Sequence, residues 1–154
     1  MFVKKLFIFI FLLTIISICS FGKSAVEEIF DFLMPGEVEI YTENIDGIAE
    51  TYDVVKNGNG YIIKTKTSDY AELKVDGYGR KFMLNCEKNR YFYLKNHIKI
   101  QNSEEFAEIS TFYGYVPFEE DYRIIGGKKV NVQVAYNNKT GVLSVGFPII
   151  LGSY

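Results

Sequence analysis

Residues 37–94 read EVEIYTENIDGIAETYDVVKNGNGYIIKTKTSDYAELKVDGYGRKFMLNCEKNRYFYL, and the punctuation of this stretch decides the fold. Val38 and Ile40 alternate with Glu37 and Glu39, Leu73 and Val75 with Glu72 and Lys74, and Phe82 and Leu84 with Lys81 and Asn85. A period of two with one apolar and one polar side marks a half-buried strand. Between the extended runs stand Asp46-Gly47 and Asn57-Gly58-Asn59-Gly60, residues that supply the positive φ angles of two-residue hairpin turns. After the first strand, the stretch predicts further strands over 48–54, 61–67, 70–75, 81–86 and 91–94, joined as an antiparallel meander. In the last of these, Tyr91 and Tyr93 share one face and Phe92 takes the other.

Outward from the meander, Ser24 and Glu27 have the spacing of a capping box. Val26, Ile29, Phe30 and Leu33 follow at helical spacing before Pro35-Gly36, a short helix with one apolar stripe. On the other side, His97 to Ile100 extends or follows the last strand. Asn102-Ser103-Glu104-Glu105 then predicts a second helix, with Phe106, Ile109 and Phe112 or Tyr113 on one face and Gly114 and Pro117 ending it. Tyr122–Ile125, Lys129–Tyr136 and Val142–Phe147 are three more strands, joined by Gly126-Gly127 and by Asn137 to Gly141, with Pro148 closing the last. Helices this brief are unstable alone, so their stripes must lie on the sheet. The expected fold is mainly β with two short helices: an antiparallel meander curved into an incomplete barrel or half-barrel, the helices covering one face.

The first residues carry an address. Lys4 and Lys5 precede an uncharged apolar run from Leu6 to Ile18, shorter than the roughly 20 residues a membrane-spanning helix needs. This is the pattern of a secretory signal peptide, and Ser20 and Gly22 put small residues where a signal peptidase inspects. Residues 1–22 are read as the leader and 23–154 as a single β-rich domain, periplasmic or secreted. Acylation at Cys19, as in bacterial lipoproteins, is the competing reading, although Ile18 stands where that motif wants a small residue. An uncleaved anchor is the third.

The chain holds 17 Lys and Arg against 19 Asp and Glu; without Lys4 and Lys5 the counts are 15 and 19, a net charge of −4. An acidic chain with interspersed charges has no electrostatic case for nucleic acid. Cys86 is the only cysteine after residue 22, so no intramolecular disulfide can form. In phase with Phe82 and Leu84, its thiol reads as a small core residue. His97 is the only histidine, and nothing marks an orienting third group or oxyanion loop for a Cys–His pair. Nucleophile elbow, phosphate loop and zinc spacing are all missing, and no cofactor or metal is implied. Glu119-Glu120-Asp121 lacks the spaced ligands of a calcium loop and reads as a solvated turn. Asn138-Lys139-Thr140 matches a glycosylation acceptor, in a turn whose composition is expected anyway.

Twelve tyrosines and 13 phenylalanines, without tryptophan, are the compositional signature. Two short helices cannot cover the apolar face of six or more strands, so the surplus predicts a concave apolar groove. Strand phase gives its lining as Tyr61, Ile63, Leu73, Val75, Phe82, Leu84 and Tyr93, with Phe106 and Ile109 from the covering helix. A filled core with tyrosines at its rim is the equal alternative.

Two patches resemble the periplasmic lipoprotein-sorting carriers, the Lol family. Val75-Asp76-Gly77, then Arg80 to Leu84, then Asn89 to Leu94 is similar to that family's strand, Asp-Gly turn, strand, charged turn, strand passage, with Phe82 where the family has Trp. Val130 to Val134 with Asn137-Asn138-Lys139-Thr140-Gly141 is similar to its later strand and turn, with Asn137 replacing an acid. The resemblance follows element order over most of residues 24–147. It implies a half-barrel that binds a lipid or acyl chain through an apolar interior, without catalysis. The competing classes are an exported interaction or structural protein with a partner in the cell envelope, a small outer-membrane barrel, and, with least support, a hydrolase.

Overall fold

The computed structural model describes residues 32–33, 35–46, 48, 51–73, 75–117 and 119–152. The expected leader, Cys19, the expected capping box at Ser24 with most of its expected helix, and Gly47 of the first expected turn lie outside them. Leu33–Tyr154 forms one compact unit.

Among the described residues, ten strands follow in chain order: β1 Glu37–Thr42, β2 Asp53–Asn57, β3 Gly60–Lys66, β4 Gly79–Asn85, β5 Lys99–Phe106, β6 Ile109–Tyr115, β7 Arg123–Ile125, β8 Lys128–Val130, β9 Val132–Asn137 and β10 Val142–Phe147. A 3-10 helix, Thr67–Glu72, follows β3, and the α-helix α1, Lys88–His97, precedes β5. Eight strands make one antiparallel sheet in the order β2-β3-β1-β4-β10-β9-β6-β5, and β7 and β8 pair separately. The sheet is mainly β as expected, but it is open: β2 and β5 are free edges among the described residues, and it neither closes nor curls strongly. The expected incomplete barrel is thus replaced by an open layer. A barrel spanning a membrane requires closure.

Register fixes which side is core, because residues directly opposite each other share a face. Thr65 stands opposite Val38, Val38 opposite Phe82, Phe82 opposite Val145, Val145 opposite Val134, and Val134 opposite Phe112. The five apolar members of that row are fully buried. The helix α1 lies on this face, with Tyr91 packed on Phe112 and Tyr136 at ring separations of 5.5 and 6.2 Å. Tyr70 of the 3-10 helix meets Phe82 edge-on at 5.3 Å.

The opposite face carries charge. Glu39 lies opposite both Lys64 and Lys81, and its carboxylate reaches them at 3.5 and 2.7 Å. The Lys81 and Glu39 side chains are only 7 % and 12 % exposed. The Tyr41 hydroxyl lies 3.0 Å from Glu39 and also bonds the Leu151 carbonyl. After the cis peptide before Pro148, the chain turns back over this face, where the Ile150 N–H donates to Gln133 Oε1 at 3.1 Å. It passes so close to Gly146 that any side chain there would strike the Ile149–Ile150 backbone.

Five expectations about individual elements are corrected. The strand expected over 48–54 begins only at Asp53 and runs on to Asn57, leaving Gly58-Asn59 as a two-residue turn with Gly58 at φ +60°. Tyr70 to Leu73 and Val75 are not in a strand: the 3-10 helix runs to Glu72, and the half-buried Tyr70 turns onto Phe82 rather than pairing. Tyr91–Leu94 is helical; Tyr91 and Leu94, three apart, face the core, while Phe92 and Tyr93 are exposed. Lys95 in its last turn complements the helix dipole.

The second helix, expected to start at Asn102, is the hairpin β5–β6. Phe106 and Ile109 flank its two-residue turn, and Ala107 there has φ +51°. No glycine or asparagine advertises that turn. The long strand expected over 129–136 also breaks, at Asn131. That residue is fully buried and turns its amide onto the backbone of Val116 and Glu119.

Two outcomes test these packing arguments. Ala107→Gly relieves the left-handed backbone and raises unfolding free energy by roughly 0.5–1 kcal/mol in urea titration. Glu39→Gln leaves the buried Lys81 charge without this carboxylate and costs about 3 kcal/mol at neutral pH. Burial pushes the Glu39 carboxyl up, but Lys81, Tyr41 and Lys64 together hold it below its ordinary value. Its contribution is therefore present above the ordinary carboxylate range and is lost as pH falls through the lowered value. The gap between wild type and variant should close in that acid window.

Candidate functional site

The expected lining residues do not assemble into one concave surface. Ile63 and Phe82 are fully buried and Leu84 nearly so, on the apolar face that also carries the half-buried Tyr61. Leu73 and Val75 are half-buried in the loop after the 3-10 helix. Phe106, 81 % exposed, and the half-buried Ile109 lie across the β5–β6 turn on the opposite face, and Tyr93 stands outward on α1. Neighbouring side chains of the sheet, α1 and the 3-10 helix enclose the middle of the apolar face.

Two hollows lie at the sheet's ends, and others of about 440 and 430 Å³ lie beside Lys64 and Lys66. The larger, of about 720 Å³, is bounded by Pro35-Gly36-Glu37, by Met83 to Glu87 at the end of β4, by Asn89 and Arg90 of α1, and by Val142. Each wall has a local cause. The Gly36 N–H closes a turn on the Leu33 carbonyl at 3.0 Å, and the absence of a side chain at Gly36 lets it press on the Met83 carbonyl. The Cys86 N–H donates to Gly141 O at 2.9 Å, and the Tyr136 hydroxyl donates to the Cys86 carbonyl at 3.1 Å. This clamp leaves the thiol half-buried among the lining residues. Burial pushes the Cys86 thiol up; Glu87 adds to the shift and Arg90 opposes it. Cys86 thus borders a hollow rather than filling the core.

The smaller hollow, of about 230 Å³, is lined by Tyr70, Val75 to Arg80, Glu119, Asp121 and Phe147-Pro148 among others. Arg80 stands on the apolar face between Ile40 and Phe147, an unusual place for a cation. Its guanidinium stacks over the Phe147 ring at 5.3 Å and pairs with Glu119, while its Nε has no hydrogen-bond partner. Asn131 holds the Glu119 carbonyl at 2.7 Å, which fixes the loop carrying this carboxylate. Burial raises the Glu119 carboxyl despite Arg80, with Asp121 and Glu120 adding. The acidic run is therefore partly tied down rather than wholly solvated.

Elsewhere, His97 is exposed, stacked on Tyr93 at 4.1 Å, with Nδ1 2.7 Å from the Tyr93 carbonyl. Asn138 spends its side-chain amide on the Glu108 carbonyl and Ser110 hydroxyl, joining two turns. Among the described residues, no cluster of three or more His, Cys, Asp or Glu is placed to hold a metal. Sequence phase missed Met83, Arg80 and Glu119 as hollow-lining residues. Only Arg80, in step with Phe82 and Leu84, gave a signal, as a cation on an apolar face.

Comparison with protein-family models, curated proteins and solved structures finds no match for this chain.

The raised thiol predicts slow chemistry at Cys86. Its reaction with a disulfide reagent at pH 8 should be about three- to tenfold slower than that of a free thiol, and should keep rising with pH beyond the free thiol's plateau. Cys86→Ser supplies the blank.

Proposed function

We propose that the protein is an exported, non-enzymatic binding protein that holds an amphiphile, an acyl chain with a polar head, in the groove beside Cys86. The observation that carries this reading is the contrast between a closed apolar face and an open groove of about 720 Å³ at its end. Small-molecule sites typically span about 300–1,000 Å³. Pro35, Met83, Leu84 and Val142 offer an apolar wall, and Glu37, Asn85 and Asn89 a polar one. Export rests on the basic, apolar and small-residue pattern of residues 4–22. A Lol-like carrier would keep its acyl chain inside a curled sheet with helices over the mouth. The present reading keeps that ligand class and moves the site to the end of an open sheet. The enclosed core favours a second reading, an interaction protein that takes no ligand.

Because Cys86 is the only cysteine after residue 22, its labelling rate reports occupancy of the groove. In the chain from Lys23 onward, long-chain fatty acid or lipopeptide should slow thiol modification about tenfold and add its mass in native mass spectrometry. Val142→Trp, which fills the groove, should abolish both effects. Equal labelling rates with every amphiphile and no bound mass would leave the interaction protein standing.

A further inference from the structure

The small hairpin β7–β8 takes no part in the groove, and its surface has a composition of its own. From Tyr122 to Val130 it carries Arg123, Lys128 and Lys129 and no acid. The rest of the chain has 14 cations against 19 acids, a net charge of −5. Positive charge is thus segregated on one projection of an acidic protein.

Apolar groups stand among these cations. Ile124 is 61 % exposed and Tyr122 42 %. Ile124 pairs across the hairpin with Lys129, whose Nζ sits 4.3 Å from the centre of the Tyr122 ring. Tyr122, Ile124 and Lys129 therefore share one outward face. The tip, Gly126-Gly127, has positive φ at both residues, and a side chain there would meet nothing within 4 Å. The root is anchored by the fully buried Val130 and by Asn131, clamped to the preceding loop, and next to the tip Lys128 Nζ donates to the Gln101 carbonyl at the β5 bulge, 2.9 Å away. The exposed Glu120 and Asp121 lie at this root, away from the tip.

We propose that the β7–β8 hairpin docks the protein on an anionic lipid surface. Tyr122 and Ile124 beside Lys129, with Arg123 on the other side of the ribbon, match the headgroup boundary, where the apolar parts enter and the cations meet phosphate. Nucleic acid fits less well, since three cations would have to hold a polyanion against the charge of the remaining chain. The inference is independent of the groove, because these residues touch none of its walls.

Flotation of the chain from Lys23 onward with phosphatidylcholine vesicles, with and without phosphatidylglycerol, tests it. Binding should require phosphatidylglycerol and weaken in high salt. Arg123→Glu with Lys129→Glu, and separately Ile124→Asp, should each weaken it about fivefold or more, with unchanged melting temperature and unchanged Cys86 labelling. Lys88→Glu with Lys95→Glu on α1, the same change of charge elsewhere, should leave it intact. Absence of vesicle binding, or an equal loss in the α1 variant, would overturn the assignment. So would equal binding of soluble polyglutamate together with indifference to Ile124→Asp, which would point to an acidic protein partner.

Discussion

The row Val38, Phe82, Val145, Val134, Phe112 crosses five neighbouring strands with every side chain fully buried, and the remaining architecture depends on it. Side chains alternate across a sheet, so a one-residue slip at any of these pairings would exchange the two faces of that strand. In β4 such a slip would drive Lys81 into the core and Phe82 outward. The row thereby fixes register for β1, β4, β10, β9 and β6 together. It also sets where α1 can sit, because Tyr91 needs Phe112 and Tyr136 beneath it.

The same register builds the second face. With Phe82 inward, Lys81 is left among Glu39, Tyr41 and the returning segment at Ile149–Leu151. A buried ammonium is tolerated only beside a carboxylate held in place, and Glu39 is held by neighbours on both strands. The bare backbone at Gly146 lets the last residues close over this layer. The edges are managed differently. β5 is long and exposed, but it has a bulge beside Gln101 and adjacent acids at Glu104 and Glu105, devices that discourage pairing with another chain.

The hollows at the sheet's ends lie where this layering stops. Among the described residues, the face filled by the buried row has no space for a ligand at its centre, and the two end hollows occur where strands end and loops begin. At one end β4 hands over to α1 around Cys86; at the other, Arg80 lies under the loop carrying Glu119. Rigid strands beneath mobile-length connections are a common setting for binding sites. The basic hairpin projects from the loop side of β9, attached through Asn131. The proposed lipid-facing tip and amphiphile groove are thus separate surfaces of one scaffold.

Alternation and turn chemistry alone determined β1, β3, β4, β10 and the β7–β8 hairpin, since Asn57 to Gly60, Gly126-Gly127 and Asn137 to Gly141 announce their turns locally. Tertiary structure decided the rest. Tyr91–Leu94 became helix because burying Tyr91 with Leu94 on the sheet outweighed the strand preference of aromatics. Phe106 to Phe112 kept helical spacing yet folded as a hairpin, because pairing of β5 and β6 with β9 behind them stabilises a turn that Ala107 would not choose alone. Likewise the groove could not be read from strand phase, because its walls are brought together from residues 35–37, 83–90 and 142 by sheet pairing. Local chemistry specifies turns and faces; only the packed sheet determines which distant ends meet, and a hollow is a property of that meeting.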